Sequence, residues 1–372
     1  MKKVVFVIAS HSQGSGKTGI TGPERRVLRM LPYLKNNGWS TVVVCPPQCK
    51  LKDAYKNESD EYYEFAIKSK FSIYQVKNLI DIIRQTSSKI IISHGPASLD
   101  FFIALASLFI KFNHIVARPV LIFDQTNYTT LKKIIYQTFD LFTLNRATSI
   151  ITITDRAKKH LEQFTIKGSK ILLIYNGVPV ASKRKIHLKQ DVLKILMAAQ
   201  FSEVKGWDYL VDTVHSLKNQ GVKISCMAAG EGLMLNEVKE KVKSLGLAQE
   251  FNFLGHVENI YEELQKVDIF ILTSKREGMS VAILEAMANG LPVISSDVGG
   301  IREQVLNDYE GYVVPIGDVG GYANSVKKLI DYSKRDLFGK RAYDKAKEKF
   351  DQNRMAFEYL KLMERVNDSQ RK

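Results

Sequence analysis

Two glutamates, Glu277 and Glu285, mark the stretch of this sequence with the clearest potential for chemistry, "LTSKREGMSVAILEAMANGLPVISSDVGG" (272–300). Glu277 follows a strand-like run, and the residues after it begin a helix that ends at "NG", a common stop signal. The free amides of 278–281 and the positive end of that helix would meet at one point, which favours an anion. Glu285, about a turn deeper and near the exposed top of the helix, would accept hydrogen bonds from a diol such as ribose, and Glu277 from a sugar. The alternative is an amphipathic surface helix with two solvated glutamates.

A second candidate for phosphate binding is "HSQGSGKTGI" (11–20), which follows the apolar run at the N-terminus. A nucleoside-triphosphate loop requires glycine five positions before the Gly-Lys pair, and that position is His11. Gly19, Gly22 and Pro23 also delay the helix that should follow at once. The sequence therefore favours a glycine-rich connection whose helix starts near "PERRVLRMLPYL" (23–34).

The elements that would position these residues alternate between short β-branched runs and helix-like stretches. This alternation predicts an α/β protein with two doubly wound, Rossmann-like domains in series, whose ligands sit beyond the carboxyl ends of the strands. The predicted strands of the first half include "VVFVIA", "STVVVC", "KIIIS", "PVLIF" and "SIITIT". We expect an N-terminal domain over 1–178, a polar linker over 179–191 and a C-terminal domain over 192–349.

Charge is distributed unevenly along the 372 residues, which carry a formal net charge of +15. Residues 1–190 contain 29 Lys and Arg against 12 Asp and Glu, whereas the remainder contains 25 against 27. Such a field favours anionic partners: a bilayer surface, nucleic acid or a phosphorylated acceptor. The basic residues are spread over many elements without a recognised nucleic-acid motif, so we expect no nucleic acid as partner.

Other compositional features exclude several classes of protein. Three cysteines cannot form a disulfide framework in a chain of this length and fit a reducing compartment. The apolar run at the N-terminus is shorter than that of a usual signal peptide. The longest apolar segment, "FFIALASLFI" (101–110), is about half of what spans a bilayer; it is interpreted as a buried helix, or alternatively as a helix at a membrane interface.

The motif "EGMSVAILEAMANGLPVI" resembles the signature of the retaining glycosyltransferases of the GT-B fold, family 4. Further segments resemble family counterparts in the same order along most of the chain: "GITGPERRVL", "NGV" (176–178), "AAQFSEVKGWDYLVDTV", "AAGEGL" and "FNFLGHV". The resemblance implies two domains that face a central cleft, with the C-terminal domain binding a nucleotide sugar. It also implies a C-terminal helix (350–372) that packs back on the N-terminal domain through Met355, Tyr359, Leu362 and Val366.

Roles for individual residues follow from the same resemblance. Glu277 would contact hydroxyls of the transferred sugar and, with Lys205, serve in catalysis. The diphosphate would be bound by Lys205, the amides of Gly278, Met279, Ser280 and Val281, Arg276 and Gly22. Glu285 would bind the ribose, and Gly255, His256 and Val257 would line the base pocket. His94 and Asp124 would lie in the N-terminal wall of the cleft.

The sequence departs from the family pattern at two positions. Gln200 stands where the family usually has an arginine for the diphosphate, and Arg276 or Lys275 is the candidate replacement. Asp124 stands where the family often has a histidine that touches the donor sugar. The identity of that sugar is therefore left open by the sequence.

The resemblance implies transfer of a sugar from a UDP- or GDP-linked donor to a glycan or polyprenyl-diphosphate-linked acceptor in bacterial surface polysaccharide synthesis. The anomeric configuration would be retained, and neither a metal nor a cofactor would be required. We expect a cytoplasmic protein, peripheral on the inner face of the membrane, with the anionic surface contacted by Arg25, Arg26, Arg29, Lys132 and Lys133. The alternatives are a sugar-nucleotide epimerase of the same fold, a basic nucleic-acid-binding protein and a binding protein without activity.

Overall fold

The computed structural model describes residues 2–8, 22–65, 73–118, 130–163 and 167–369, except for the side chains of 73 and 130–133. The chain divides into two compact units. The described residues before Gly177 and from Gln352 onward form unit 1, and Gly177–Asp351 form unit 2. Each unit is built on one parallel sheet with alternating helices, so the predicted α/β class with two doubly wound sheets is confirmed.

Unit 1 contains a seven-stranded sheet in the order β3-β2-β1-β4-β5-β6-β7. Its strands are β1 (Lys2–Ile8), β2 (Trp39–Cys45), β3 (Glu61–Glu64), β4 (Ile90–His94), β5 (Asn113–Ala117), β6 (Ser149–Thr152) and β7 (Ile171–Leu173). Its helices are α1 (Gly22–Asn36), α2 (Lys52–Glu58), α3 (Ile73–Thr86), α4 (Ala97–Ala106), α5 (Thr130–Arg146) and α6 (Asp155–Glu162), together with α14 (Gln352–Asp368) from the end of the chain. All strand pairs are parallel, which fits the near-continuous apolar runs of the central strands.

Helix α14 belongs to the core of unit 1. Its residues Met355, Tyr359, Leu362 and Val366 are at most 4% exposed and pack in one cluster with Met30 and other residues of α1. The spacing of four, three and four positions places them on one face of the helix. A single apolar stripe therefore holds the last helix against the first.

A buried ion triad joins α4 and α5 to the end of β5. The Arg118 guanidinium donates from Nε and Nη2 to Asp100 Oδ2 at 2.9 and 2.6 Å, and from Nη1 to Asp140. All three side chains are at most 4% exposed. Burial raises the pKa of Asp100, and the charge of Arg118 opposes that rise. Since breaking one partner of such a triad would leave a charge buried and uncompensated, the triad fixes both helices on the sheet.

Unit 2 contains a six-stranded parallel sheet in the order β10-β9-β8-β11-β12-β13. Its strands are β8 (Leu193–Ala198), β9 (Ile224–Ala229), β10 (Phe251–Gly255), β11 (Ile269–Leu272), β12 (Val293–Ser296) and β13 (Gly311–Val314). Its helices are α7 (Trp207–Asn219), α8 (Leu235–Ser244), α9 (Ile260–Gln265), α10 (Val281–Ala288), α11 (Ile301–Gln304), α12 (Val319–Lys328) and α13 (Tyr332–Lys349). The strand order reverses direction between β8 and β11, where ligands of such sheets usually bind.

The segment 179–191, expected to be a linker, is packed on unit 2. Arg184 forms a two-pronged ion pair with Asp336 at 2.6 and 2.9 Å, and the buried His187 ring bonds to the carbonyl of Gly290 at 2.9 Å. Its polar, basic composition suggested a solvated connection. The structure instead uses those polar groups to satisfy partners on α13 and at the end of α10.

Candidate active site

The candidate residues of unit 2 come together because they follow neighbouring strands. Lys205 lies after β8, Glu277 after β11 and the Gly299–Gly300 pair after β12. These strands are adjacent and parallel, so the three loops emerge at the same edge of the sheet. The Gly255–Val257 segment starts at the last residue of β10 at that edge, two strands from β8.

Lys205 and Glu277 form an ion pair at this edge. Lys205 Nζ lies 2.6 Å from Glu277 Oε1, with the two side chains 27% and 10% exposed. Ser274 Oγ, which is fully buried, donates to the same carboxylate oxygen at 2.8 Å. Glu277 is thereby held in one orientation by two donors from two loops, as a site that must place a carboxylate accurately requires.

Helix α10 begins beside this pair, and its predicted limits are confirmed. Ser280 is the N-cap, whose Oγ accepts from the amide of Ile283 at 3.4 Å, and Asn289 is the C-cap before Gly290. Within the described part of the chain, the amides of Gly278, Met279 and Val281 have no hydrogen-bond acceptor. These donors and the helix dipole favour an anion at this turn.

The amide of Ser280 departs from the expected arrangement. It donates to the side-chain oxygen of Gln304 at 2.9 Å, so it is already satisfied inside the protein. The cause is a tertiary contact with α11 that lies 24 positions away in sequence. The other three amides expected to bind the diphosphate, those of Gly278, Met279 and Val281, remain candidates for that role.

The glycine pair after β12 packs closely on the turn that carries Glu277. Gly299 has a φ of +57°, and a Cβ at this position would lie 1.8 Å from the carbonyl oxygen of Glu277. The amide of Gly300 donates to the carbonyl of Gly278 at 2.9 Å. Only glycine permits this approach. The loop after β12 therefore packs directly against the backbone of Glu277 and Gly278 and supports it.

Glu285 is buried, at 4% exposure, and not near an exposed helix top as expected. Helix α10 is apolar over most of its length and packs against α9 and α13, so residues 283–288 are all buried. Glu285 lies about one turn from the start of the helix. Its side chain is thus enclosed by the protein about one turn from the Ser280 N-cap.

The remaining unit 2 residues occupy the periphery of the site. Gly255 has a φ of +66°, and His256 after it is exposed. Lys275 Nζ is paired with Glu203 at 3.2 Å and lies 5.7 Å from the Tyr209 ring, whereas Arg276 is exposed. Of the two candidates for the contact missing at Gln200, Arg276 is therefore the more accessible.

Two predicted residues of unit 1 fall within the described chain. Gly22 is the first residue of α1. His94 ends β4 but is fully buried, with its ring 6.0 Å from those of Phe6 and Tyr359. Burial, with the charge of Arg26 as a second cause, holds the pKa of His94 well below its usual range. His94 is thus a neutral core residue and not a wall residue, and Asp124 lies outside the described residues.

Sequence reasoning missed two side chains that shape the site, Ser274 and Gln304. Ser274 lies three positions before Glu277 in the same loop, so its closeness in sequence was the available signal. Gln304 carries no such signal because its partner, Ser280, is distant in sequence. Both contacts act on the backbone or carboxylate of the candidate site.

Two sequence models of known families match the chain. The model described as Glycosyltransferase Family 4 matches residues 20–182, and that described as Glycosyl transferases group 1 matches residues 180–345. Among the described helices, none has the length and apolarity needed to cross a membrane.

Two curated relatives and one solved structure illustrate the similarity. The putative glycosyltransferase EpsF of Bacillus subtilis is 30% identical over 174 residues, which are 44% of this chain and 45% of the relative. The UDP-Gal:alpha-D-GlcNAc-diphosphoundecaprenol alpha-1,3-galactosyltransferase of Escherichia coli is 25% identical over 238 residues, 60% of this chain and 61% of the relative. The matches thus span about half to three-fifths of the relatives' length.

The structure of Anabaena Alr3699/HepE, in complex with UDP, superimposes with a TM-score of 0.81 at 18% identity, covering 98% of this chain and all of that one. A likeness at this identity shows the fold. Together with the two family models and the parallel sheets described above, it establishes that the chain belongs to the glycosyltransferases of the GT-B fold.

Proposed function

We propose that the protein transfers a sugar from a nucleotide-diphosphate sugar to a lipid-linked glycan acceptor, with retention at the anomeric carbon. One observation supports the proposal most directly. Lys205, Glu277 and the start of α10 lie together where the strand order of unit 2 reverses, between β8 and β11. A cation, a carboxylate and free amides within one edge of a sheet fit a diphosphate joined to a sugar.

The diphosphate would bind where the cationic groups converge. Lys205 pairs with Glu277 at 2.6 Å, and the donor's diphosphate, with one negative charge on each phosphoryl group, would offer it a stronger partner. The amides of Gly278, Met279 and Val281 would donate to the same group. Glu277, released from Lys205 but still held by Ser274 at 2.8 Å, would then accept from hydroxyls of the sugar.

Catalysis would consist mostly of stabilising the departing diphosphate. Negative charge grows on the leaving group as the glycosidic bond breaks, and Lys205 and the free amides at the start of α10 would stabilise that charge. The acceptor hydroxyl would attack from the face that the diphosphate leaves, and a leaving-group oxygen would take its proton. Because these donors neutralise the charge, we propose that transfer proceeds without a divalent metal or a cofactor.

Nucleotide contacts would extend from the diphosphate along the edge of the sheet. Glu285, about a turn into α10, would accept from the ribose, and the Gly255–Val257 segment would contact the base. The Escherichia coli relative uses a UDP-linked galactose by its name. We propose a UDP- or GDP-linked donor.

The acceptor would be a glycan on a polyprenyl diphosphate, since the same relative acts on a diphosphoundecaprenol-linked sugar. Unit 1 has surface features that suit an anionic membrane. Ile134 and Ile135 on α5 are 54% and 45% exposed, next to Lys132 and Lys133 in sequence. Exposed isoleucines that adjoin lysines in sequence favour binding at the interface of an anionic bilayer. We propose a peripheral protein of the cytoplasmic face, active in surface polysaccharide synthesis.

The arginines of α1 divide between surface and core. Arg26 is 3% exposed because it lies on the same stripe as the buried Met30 and Leu34, so its expected contact with a membrane is wrong. Arg25 and Arg29 are partly exposed. They, and not Arg26, would contribute to the basic surface.

The proposal is tested by incubating the protein with a panel of UDP- and GDP-sugars and a lipid-diphosphate-linked glycan. The expected result is release of the nucleoside diphosphate from one donor, matched by growth of the acceptor by one sugar. An epimerised donor with an unchanged acceptor would contradict transfer. A panel in which no donor reacts and none raises the melting temperature would contradict the nucleotide-sugar site itself.

A further inference from the structure

Gln304, at the end of α11, makes two hydrogen bonds to one residue of the candidate site. Its Oε1 accepts from the amide of Ser280 at 2.9 Å, and its Nε2 donates to the carbonyl of Ser280 at 2.8 Å. The side chain is fully buried, and Ser280 is 6% exposed. A primary amide that pairs with both polar groups of one residue fixes that residue much as a neighbouring strand would.

Ser280 is the N-cap of α10, so its orientation sets that of the anion-binding turn. Its Oγ accepts from Ile283, and its carbonyl accepts from the amide of Leu284 at 3.3 Å as the helix begins. Gln304 therefore bonds to the residue at which the backbone changes from extended to helical. Met279 and Val281 are the residues on either side of Ser280. The orientation of their amides therefore depends on that of Ser280.

We infer that Gln304 is a positioning residue for the diphosphate of the donor, an inference that rests on the proposed function. It does not touch the donor. Gln304 holds the turn so that the free amides of Gly278, Met279 and Val281 converge. It also accepts from the Ser280 amide, which is therefore not available to the diphosphate. Donors fixed before the reaction need no reorganisation as charge develops on the leaving group, which is why such a residue affects turnover.

Removal of the side-chain amide is the first test. Gln304→Leu leaves the buried amide of Ser280 without its acceptor, and the turn is free to rotate towards solvent. We expect kcat to fall on the order of tenfold to a hundredfold, with a smaller change in the donor KM and none in the acceptor KM. Affinity for inorganic pyrophosphate, measured by calorimetry on the full chain, should fall about tenfold as well.

The chain offers a matched control at the other end of the same helix. Gln265 Nε2 donates to Asn289 Oδ1 at 2.8 Å, beside the C-cap of α10. Gln265→Leu removes a glutamine contact with α10 but leaves the anion-binding turn intact. It should keep wild-type kcat and pyrophosphate affinity even if its melting temperature falls as far as that of Gln304→Leu.

A second variant keeps the inference testable if Gln304→Leu folds poorly. In Gln304→Glu, a protonated carboxyl reproduces both hydrogen bonds of the amide, whereas the ionised form repels the carbonyl of Ser280 and adds negative charge behind the diphosphate. Its kcat, relative to that of the wild type at each pH, should therefore rise as the pH is lowered. The melting temperature of the variant, measured at each pH, separates this recovery from a change in the folded fraction.

The inference is overturned if Gln304→Leu binds pyrophosphate as the wild type does, if Gln265→Leu loses as much kcat, or if the Gln304→Glu profile parallels the wild-type profile. A wild type that transfers no sugar would contradict the proposed function. The pyrophosphate series would still decide the inference, because it requires no turnover.

Discussion

Lys205 Nζ lies 2.6 Å from Glu277 Oε1, so the cation and the carboxylate of the candidate site neutralise each other. The pair joins the loop after β8 to the loop after β11. These two neighbouring strands lie where the strand order of the sheet changes from one side of β8 to the other. A phosphoryl group and a sugar hydroxyl would each take one member of the pair. The ion pair thus holds together the two side chains that we propose contact the donor.

Lys205→Ala should reduce kcat by on the order of 10²–10³, because the growing charge on the leaving diphosphate loses its cation. Stability should change by no more than about 1 kcal/mol, since the lysine is 27% exposed and Ser274 still donates to Glu277. Steady-state kinetics and thermal unfolding measure the two effects.

The matched control for Lys205 is Lys218, whose Nζ pairs with Glu250 at 2.8 Å in the same unit but at the end of α7. Lys218→Ala should lose a similar ion pair and retain full turnover. Equal activity of the two variants would exclude a catalytic role for Lys205.

Glu277→Gln and Glu285→Gln should affect different kinetic constants. Glu285 would contact the ribose equally in the ground and transition states, so its variant should raise the donor KM with little change in kcat. Glu277 would contact the sugar as it approaches an oxocarbenium-like state, so its variant should lower kcat. Glutamine preserves side-chain volume at the buried Glu285. Interchangeable effects of the two substitutions on kcat and KM would contradict the assignment.

His114 should make stability depend on pH below neutrality. Burial, with the charge of Arg118 as a second cause, lowers the pKa of His114 to about 3, and its Nε2 lies 2.9 Å from Ser93 Oγ. The unfolded chain binds a proton near pH 6.5 and the folded chain does not, so stability falls as the pH drops from about 6.5 towards 3. The slope is up to about 1.4 kcal/mol per pH unit for this group.

The corresponding measurement is denaturant unfolding of wild type and His114→Gln at pH 7, 6, 5 and 4. The variant should be less stable at pH 7 and should lose stability less steeply below pH 6. Parallel curves for the two proteins would show that His114 does not remain neutral in the folded chain.

The exposed isoleucines of α5 should contribute to membrane binding. The wild type should bind vesicles that contain acidic lipid, lose binding on addition of salt, and ignore neutral vesicles. Replacing both Ile134 and Ile135 with serine should weaken binding by on the order of tenfold, because apolar area no longer enters the headgroup region.

Leu233 provides the control for this experiment because it is 87% exposed and lies in unit 2. Leu233→Ser should bind vesicles as the wild type does. If it lost as much affinity as the α5 double variant, membrane contact would not be specific to that helix.

The sequence predicted best where one local pattern determines the structure. The limits of α10 followed from a strand, a Gly-Met-Ser turn and an Asn-Gly stop, and the central apolar strands from their β-branched runs. Three short strands were not predicted, namely β3, β5 and β13. β3 and β13 lie at sheet edges and are four residues long, and "NHIVA" of β5 begins with polar residues.

What could not be read from the sequence depends on contacts between distant segments. Glu285 is buried because α9 and α13 cover α10, and the Ser280 amide is occupied because α11 brings Gln304 beneath it. Arg26 is the exception, since its spacing of four from the buried Met30 already placed it on the inner face of α1. The prediction for Arg26 instead relied on the positive net charge of residues 1–190, which does not distinguish exposed from buried arginines. The predicted strand at 119–123 lies outside the described residues and stays a prediction.

Transfer with retention is tested most directly by the anomeric configuration of the transferred sugar, determined by NMR on the acceptor product. With an α-linked nucleotide sugar as donor, we expect an α-glycosidic bond and one nucleoside diphosphate released per linkage, with both reduced together in Lys205→Ala. A β-glycosidic product, or product formation that persists at the wild-type rate in Lys205→Ala, would contradict this expectation.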